Sequence, residues 1–287
     1  MAIPETVIVR SKPRRTRVLP GFPLTFGCTL IYLAIIVLLP LAALFLKAAS
    51  MPLADFLDAI ISSRALATYR LTLGTALIAT IFNGAFGLLL AWVLVRYDFP
   101  FRRLLDAVVD LPFALPTAVA GVALTALFAK NGWFGAPLAK LGIAVAYTPL
   151  GIVVAMAFTS LPFVVRTVQP VLEDLDDGIE EAAHSLGASD LTIFLRVILP
   201  EIFPAFLAGC SLAFARSLGE FGAVIFIAGN RPMQTEITAL LTFIRLDEYD
   251  YAGAAALSVA ILAMAFLLLL ATNIVQARAL RHVDARR

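Results

Sequence analysis

The chain has 287 residues, of which 61% are hydrophobic and 15% are charged, and its mean hydropathy is +0.94. Water-soluble domains carry about 25% charged residues, so this composition excludes an ordinary soluble domain and indicates a chain that lies mainly in a bilayer. The net charge of +2 is too small to indicate a nucleic-acid partner. The two cysteines, Cys28 and Cys210, fall in hydrophobic runs, where a small apolar role is favoured over a disulfide.

Six hydrophobic runs are long enough to cross about 30 Å of hydrocarbon as helices. They are residues 24–46, 71–95, 111–129, 141–165, 202–228 and 252–275. The first follows a basic stretch but is longer than the roughly 7–15 residues of a signal-peptide core, so it is predicted to be an uncleaved anchor. The sequence therefore predicts an all-α membrane protein with six transmembrane helices.

Lys and Arg are about twice as frequent in one set of alternating loops as in the other, and such an excess marks the cytoplasmic side. The richer set contains both chain ends and the loop 166–201. We therefore expect a basic cytoplasmic tail at 1–23, a transmembrane domain at 24–276 with a cytoplasmic loop at about 166–201, and a second basic cytoplasmic tail at 277–287.

Helix-breaking residues interrupt two of the hydrophobic runs. Pro112 and Pro116 lie in the third run, and Gly219 and Gly222 lie in the fifth. Ordinary helix packing explains such residues, which are commoner in membrane helices than in soluble ones. A gate built from a kinked third helix beside a hinged fifth helix is the alternative, and the sequence leaves both interpretations open.

The loop 166–201 contains the pattern of a short amphipathic helix. Four apolar side chains recur at i, i+3, i+4 and i+7: Ile179, Ala182, Ala183 and Leu186. We expect Asp177 to cap the N-terminus of this helix and Gly187 to end it. A second helix is expected to begin at Ser189 or Asp190 and to end before Pro200.

The same loop reads Glu-Ala-Ala at 181–183, Gly at 187 and Val-Ile-Leu-Pro at 197–200. This pattern closely resembles the EAA loop of ABC-importer permeases, which reads E-A-A, three residues, G, nine residues and I-x-L-P. Val197 departs from the family pattern by one methylene. The resemblance implies a MetI-like permease core whose loop docks into a cleft of a separate ATP-hydrolysing subunit. It places the coupling contacts at Glu181, Ala182, Ala183, Leu186 and Gly187, and an amphipathic loop packed on its own spans is the alternative.

The sequence argues against catalysis by the chain itself. A phosphate-binding loop needs a Lys followed by Ser or Thr, and no lysine here is followed by either. His184 and His282 lie outside the hydrophobic runs, which disfavours an intramembrane hydrolase. We therefore expect no catalytic site, metal or cofactor on this chain, with ATP used by a partner subunit. A passive channel would explain the spans but not the EAA pattern.

Two charged residues, Arg216 and Glu220, interrupt the fifth hydrophobic run. A lone charge at the bilayer centre costs about 2.5–3.5 kcal/mol on insertion scales. At positions i and i+4 of a helix the two side chains share a face and neutralise each other. One interpretation is a structural ion pair. The other is a translocation pathway to which Arg216 lends positive potential for an anion while Glu220 holds the Arg216 side chain in place.

A further helical spacing occurs in a loop predicted to lie outside the membrane. The apolar residues are Ile237, Leu240, Leu241 and Ile244. We expect an amphipathic helix that lies in the membrane interface, or that contributes to an outer gate or to the docking face for a delivery protein.

Other motifs narrow the resemblance. Residues 110–121 and 217–223 look like the oxyanion-importer branch, and residues 226–230, 233–237 and 248–254 resemble its T-type sulfate/thiosulfate permeases. The likeness implies one permease subunit of an ATP-driven sulfate/thiosulfate importer in the bacterial inner membrane, with molybdate or tungstate as the alternative substrate. It also implies the partners: a second, W-type permease subunit, two ATP-binding subunits, a periplasmic binding protein and membrane lipid.

Overall fold

Every regular element is a helix in the computed structural model, which describes residues 21–284. In chain order the helices are α1 Phe22–Ala49, α2 Leu53–Ile61, α3 Ser63–Arg96, α4 Arg102–Val109, α5 Leu111–Ala114, α6 Thr117–Phe128, α7 Gly135–Lys140, α8 Pro149–Glu173, α9 Asp177–Ser185, α10 Asp190–Leu218, α11 Gly222–Ile227, α12 Thr238–Asp247 and α13 Tyr251–Asp284. The helix α1 falls mainly in a separate unit that ends at Leu46 and is described by itself. Of the two predicted tails, residues 1–20 and 285–287 lie outside the described residues.

The prediction of an all-α membrane protein is confirmed. In the described part of the chain, five helical stretches are long and apolar enough to cross a membrane: α1, α3, α8, α10 and Tyr251–Ile274 of α13. They match five of the six predicted spans. The sixth, predicted at 111–129, is present as two helices, because the chain divides at Leu115 and Pro116 into α5 and the 12-residue α6, so the predicted number of six is roughly consistent with the structure. Proline disfavours helical angles in the preceding residue, and Leu115 is extended with ψ 133°.

Two other spans have different bounds from those predicted. The fourth was expected at 141–165, whereas α8 occupies Pro149–Glu173. The fifth was expected at 202–228, whereas α10 begins at Asp190 and ends at Leu218. Hydrophobicity indicates which residues suit lipid, but a helix continues for as long as its backbone hydrogen bonds do, so polar turns at its ends escape a hydropathy criterion.

Both π-helical segments of the described chain end two residues before a proline. They are Ala34–Leu38, two residues before Pro40, and Phe194–Ile198, two residues before Pro200. Proline cannot donate a backbone hydrogen bond and its ring crowds the preceding turn, and a widened turn relieves both problems. The prediction that the second loop helix ends before Pro200 is therefore wrong, because α10 continues through it.

The helices α3, α8 and α10 form the centre of the fold and approach one another at glycines. A Cβ atom added at Gly87 of α3 would lie 3.0 Å from Cβ of Val164 on α8. A Cβ atom added at Gly209 of α10 would lie 3.0 Å from Cα of the same valine. Small residues at such contacts increase the van der Waals packing on which helix association in lipid depends.

Three buried polar side chains join these central helices. Asn83 of α3 donates through Nδ2 to Oγ of Ser160 on α8 at 2.8 Å, and to the carbonyl of Ala157 at 3.0 Å. The hydroxyl of Ser217 on α10 lies 3.1 Å from the same Ser160 oxygen. Hydrogen bonds between helices fix their register, because a shifted helix would leave polar groups unsatisfied in an apolar surrounding.

The amphipathic stretch predicted to lie in the membrane interface is α12 and the residue before it. Its apolar residues Ile237, Leu240 and Leu241 are buried inside the protein, so the interface prediction is wrong. Glu236 is fully buried and accepts two hydrogen bonds from Arg64 of α3, at 2.7 and 2.8 Å. This bidentate pair gives the stretch a fixed position on α3 that a hydrophobic pattern does not reveal.

The third and fifth predicted spans are each interrupted in the structure. The helices that follow the two interruptions, α6 and α11, pack against each other. A Cβ atom added at Gly121 of α6 would lie 2.7 Å from Cα of Ala223 on α11, so the two backbones are in direct contact. Before the first interruption, Arg166 of α8 donates to Oδ1 of Asp106 at 2.6 Å and to Oδ1 of Asp110 at 2.7 Å. The chain is therefore held on both sides of the break at Leu115 and Pro116.

Replacing Gly121 with Ala is expected to destabilise the protein by about 1–3 kcal/mol, because the new methyl group overlaps backbone atoms that cannot rotate away. A lower midpoint of thermal unfolding in detergent would report this loss. Gly74→Ala is the matched control, since nothing lies within 4 Å of a Cβ at that helical position. Equal midpoints for the two variants would contradict the close contact between α6 and α11.

Candidate coupling loop and membrane charge pair

The helix α9 begins one residue earlier than the sequence predicted. Asp177 was expected to be its N-cap, but it is the first helical residue, so that prediction is wrong. Asp176 has extended angles and its Oδ1 accepts the backbone N–H of Gly178 at 2.9 Å. Two consecutive aspartates offer the same capping group, and the sequence does not distinguish between them.

The C-terminus of α9 is a Schellman motif, which confirms the prediction that Gly187 ends this helix. Gly187 has φ +82°, an angle that costs residues with a Cβ atom about 1–2 kcal/mol. Its N–H donates to the carbonyl of His184 at 2.8 Å, and the N–H of Ala188 donates to the carbonyl of Ala183 at 3.1 Å. Ser189 then caps α10 by accepting the N–H of Thr192.

Most of the predicted coupling residues lie on the surface of this loop. Glu181, Ala182, Leu186 and Gly187 are exposed, and Leu186 keeps 89% of its surface accessible. Ala183 is the exception, because it packs partly against the apolar core between α3, α8 and α10. Ile179 and Leu191 are also exposed, so the loop presents an apolar patch that its own transmembrane helices do not cover. Uncovered apolar patches of this kind mark interaction sites.

Glu180 is a residue of this loop that sequence reasoning missed. It forms an ion pair with Arg96 at the end of α3, and both side chains are mostly buried. The Arg96 guanidinium carbon also lies 5.4 Å from the ring centre of Trp92, and that ring meets Phe194 of α10 edge-on at 5.3 Å. In the sequence, Glu180 is one of many acidic residues in the loop, and nothing distinguishes it from the others. In the fold it pairs with Arg96 of α3, and the Trp92 ring beside Arg96 contacts Phe194 of α10.

The predicted pair of membrane charges is present, but not on one continuous helix. Nη1 of Arg216 lies 2.7 Å from Oε2 of Glu220. The helix α10 ends at Leu218, so Glu220 lies in the interruption that precedes α11 and not on the same helix face, which corrects the prediction. Glu220 is almost fully buried, while the Arg216 side chain retains 32% of its surface. A partly exposed cation beside a buried carboxylate is thus held at a break in a membrane helix.

The third and fifth hydrophobic runs, which contain the helix breakers, are in contact in the structure. Gly222 begins α11, and a Cβ atom there would overlap Oγ1 of Thr117, the first residue of α6. The Arg216–Glu220 pair lies in the segment that leads into this contact. Interrupted helices that carry an ionisable group are typical of the substrate sites of membrane transporters.

These features define a membrane transport subunit, and the sequence comparison specifies its family. The chain belongs to the family of binding-protein-dependent transport system inner membrane components, which matches residues 83–285. The sulfate transport system permease protein CysT of Salmonella typhimurium is 56% identical over 267 residues, which cover 93% of this chain and 96% of that protein. A probable sulfate transport system permease protein of Nephroselmis olivacea is 50% identical over 252 residues, which cover 88% and 89%. The predicted resemblance to the sulfate branch is confirmed.

Solved structures of similar fold are also ABC transporters. A chain of a bacterial transporter that imports the acidic polysaccharide alginate superimposes with a TM-score of 0.75 at 16% identity, covering 90% of this chain and 95% of that chain. A chain of the MetNI methionine transporter gives a TM-score of 0.59 at 16% identity, covering 76% and 97%. At this identity the likeness shows the fold alone, and it confirms the predicted MetI-like permease core.

Replacing Glu180 with Ala is expected to loosen α9, because the lost ion pair with Arg96 is worth about 0.5–1 kcal/mol for partly buried side chains. A spin label at Leu186→Cys, in a chain whose native cysteines are replaced by serine, should show higher mobility in this variant. Glu181→Ala is the control, since Glu181 is exposed. Unchanged mobility in Glu180→Ala would refute the anchoring role of Glu180.

Proposed function

We propose that this chain is a transmembrane permease subunit of an ATP-driven sulfate/thiosulfate importer, in which it forms half of the anion pathway. The observation that carries the proposal is 56% identity with a sulfate transport system permease protein along nearly the full length of both chains. The same likeness favours sulfate over the molybdate or tungstate alternative. A doubly charged anion needs such a pathway, because moving it unaided into hydrocarbon costs on the order of tens of kcal/mol.

In the proposed assembly this chain has three kinds of protein partner and is surrounded by membrane lipid. A second, W-type permease subunit supplies the other half of the pathway, two ATP-binding subunits supply the energy, a periplasmic binding protein delivers the anion, and membrane lipid surrounds the spans. The family description, a binding-protein-dependent transport system, supports the delivery protein. A solved alginate transporter of similar fold, in complex with a periplasmic protein, supports the same type of partner.

The loop that contains α9 is proposed to lie in the cytoplasm of a bacterial cell, with both chain ends on the same side of the inner membrane. The excess of Lys and Arg in the loops of that side supports this orientation. It places the exposed apolar patch around Leu186 where ATP-binding subunits are found. ATP itself is then used by the partner, and this chain contributes no cofactor site.

Force is proposed to pass from the ATP-binding subunit through α9 into the membrane. The partner grips the exposed face of Glu181, Ala182, Leu186 and Gly187, while Ala183 packs against the core of this chain. Because Glu180 is paired with Arg96 of α3, and because α10 follows α9 after a tight turn, movement of α9 displaces both helices. The helix α10 follows α9 and carries Arg216 close to its end, so α10 connects the coupling loop to the charge pair.

Uptake of radiolabelled sulfate by a strain that lacks the native permease gene tests this function. Expression of the chain together with its partner subunits should restore uptake, and a tenfold excess of thiosulfate should compete strongly while molybdate competes weakly. Restored uptake that molybdate suppresses as strongly as unlabelled sulfate would favour the molybdate alternative. Uptake that persists without ATP would contradict an ATP-driven importer.

Replacing Gly187 with Val is expected to abolish sulfate uptake while leaving the subunit inserted. The left-handed backbone angle at Gly187 disfavours a β-branched residue by about 1–2 kcal/mol, and the new side chain enters the proposed docking face. Co-purification of the ATP-binding subunit and sulfate uptake are the measurements. Gly142→Val is the matched control, because Gly142 has φ +77° and open surroundings but lies in another loop. Normal uptake by Gly187→Val would refute the coupling assignment.

Replacing Arg216 with Ala is expected to lower the rate of sulfate uptake by at least about tenfold without preventing assembly, because a positive charge beside the path lowers the barrier to an anion. The rate is measured per transporter in proteoliposomes supplied with loaded binding protein. Arg70→Ala is the control, since Arg70 is an exposed arginine on α3. An unchanged rate for Arg216→Ala would remove Arg216 from the pathway.

A further inference from the structure

Glu220 makes contacts with two different helices at the break between them. Its Oε2 lies 2.7 Å from Nη1 of Arg216 near the end of α10. Its Oε1 accepts the backbone N–H of Ala223 in the first turn of α11, at 2.9 Å. The Glu220 side chain is 1% exposed, so both contacts are made away from solvent. One carboxylate therefore accepts a hydrogen bond from the backbone of α11 and forms an ion pair with an arginine of α10.

Arg216 has N–H donors that Glu220 does not use. A guanidinium carries five N–H donors, and within the described residues the contact recorded for Arg216 is the one to Glu220. With 32% of its side chain accessible, the cation has donors left for another oxygen-bearing group. The pair has a net charge of zero, with its negative end buried and its positive end partly open.

The position of this pair is fixed relative to both interrupted segments. Glu220 is bound to α11 through Ala223, and α11 contacts α6 through Gly222 and Thr117. If the Arg216 side chain rotated away, the Glu220 carboxylate would lose its ion pair. That carboxylate is 1% exposed, so solvent could not replace the lost contact. The guanidinium is thus preorganised beside the contact between the two breaks.

We propose that Glu220 is a positioning residue that weakens the hold of Arg216 on the sulfate ion in transit, so that the ion leaves the site instead of staying bound. The proposal rests on the proposed function, in which Arg216 lies beside the anion path. A pathway must attract its ion and must also release it, so the positive charge has to be partly offset. A carboxylate 2.7 Å behind the guanidinium provides that offset without blocking the open side.

Glu220→Gln separates the charge of this side chain from its hydrogen-bonding role. The amide oxygen of glutamine still accepts the N–H of Ala223, so α11 keeps its contact, while the charge that balances Arg216 is removed. The experiment uses the whole purified transporter without nucleotide or binding protein, and it measures retained radiolabelled sulfate by equilibrium filtration. Turnover in proteoliposomes with loaded binding protein is measured on the same preparations.

Glu220→Gln is expected to raise the affinity for sulfate about two- to fivefold, the size typical of a partly exposed charge pair, and to lower turnover. Arg216→Gln should abolish the gain, and the double variant should behave as Arg216→Gln alone, because Glu220 acts through Arg216. Unchanged affinity and turnover in Glu220→Gln would overturn the proposal, as would an effect of equal size in the Arg216→Gln background.

Glu220→Asp provides a second route if the glutamine variant fails to insert. It retains the charge but shortens the side chain by one methylene, so the Arg216 contact weakens and the same increase in affinity is expected in smaller degree. Failure of both variants to insert would overturn the proposal, because the carboxylate would then serve the fold alone. Normal turnover in Arg216→Gln would instead refute the proposed pathway itself, so the two failures are distinguishable.

Discussion

Asn83 and Ser217 both hydrogen-bond to Ser160 where α3, α8 and α10 cross, and all three side chains are buried. The remainder of the fold depends on this central contact. Glycines at 84, 87 and 209 bring the three helices close enough for the short serine side chains to reach. In lipid the hydrophobic effect does not hold helices together, so close packing and interhelical hydrogen bonds carry that role. The pattern of small and polar residues on these helices is therefore what specifies their arrangement.

Interruptions of the helices create a problem that side chains solve. A broken helix in a membrane exposes backbone N–H and C=O groups that the bilayer cannot satisfy. Glu220 accepts the N–H of Ala223, and the segment before Pro116 is held by Asp110, whose carboxylate binds Arg166. The charged side chains of these breaks thus stabilise the interrupted backbone first. Their second effect is to hold a partly exposed cation, Arg216, at the break, beside the proposed anion pathway.

The loop proposed for coupling and the membrane charges belong to a continuous set of contacts. Glu180 pairs with Arg96, Arg96 lies over the ring of Trp92, and that ring meets Phe194 at the beginning of α10. The helix α10 then extends without interruption, through the widened turn at Pro200, to the segment of Arg216. A break in α10 at Pro200 would have allowed the loop to move independently of the membrane part. The π-helical turn prevents this by accommodating the proline within one helix.

The sequence by itself determined the properties that follow from composition and local pattern. The apolar runs predicted the membrane helices, the EAA motif predicted the permease family, and Gly187 predicted the end of α9, because each depends on neighbouring residues alone. Only the tertiary structure decided which aspartate caps α9, where α10 ends, and that Leu240 and Leu241 of α12 are buried. The position of α12 depends on contacts with residues far away in the chain, such as the pairing of Glu236 with Arg64. The same holds for Glu180, whose partner Arg96 lies on α3, since a local pattern contains no information about a partner that only folding brings within reach.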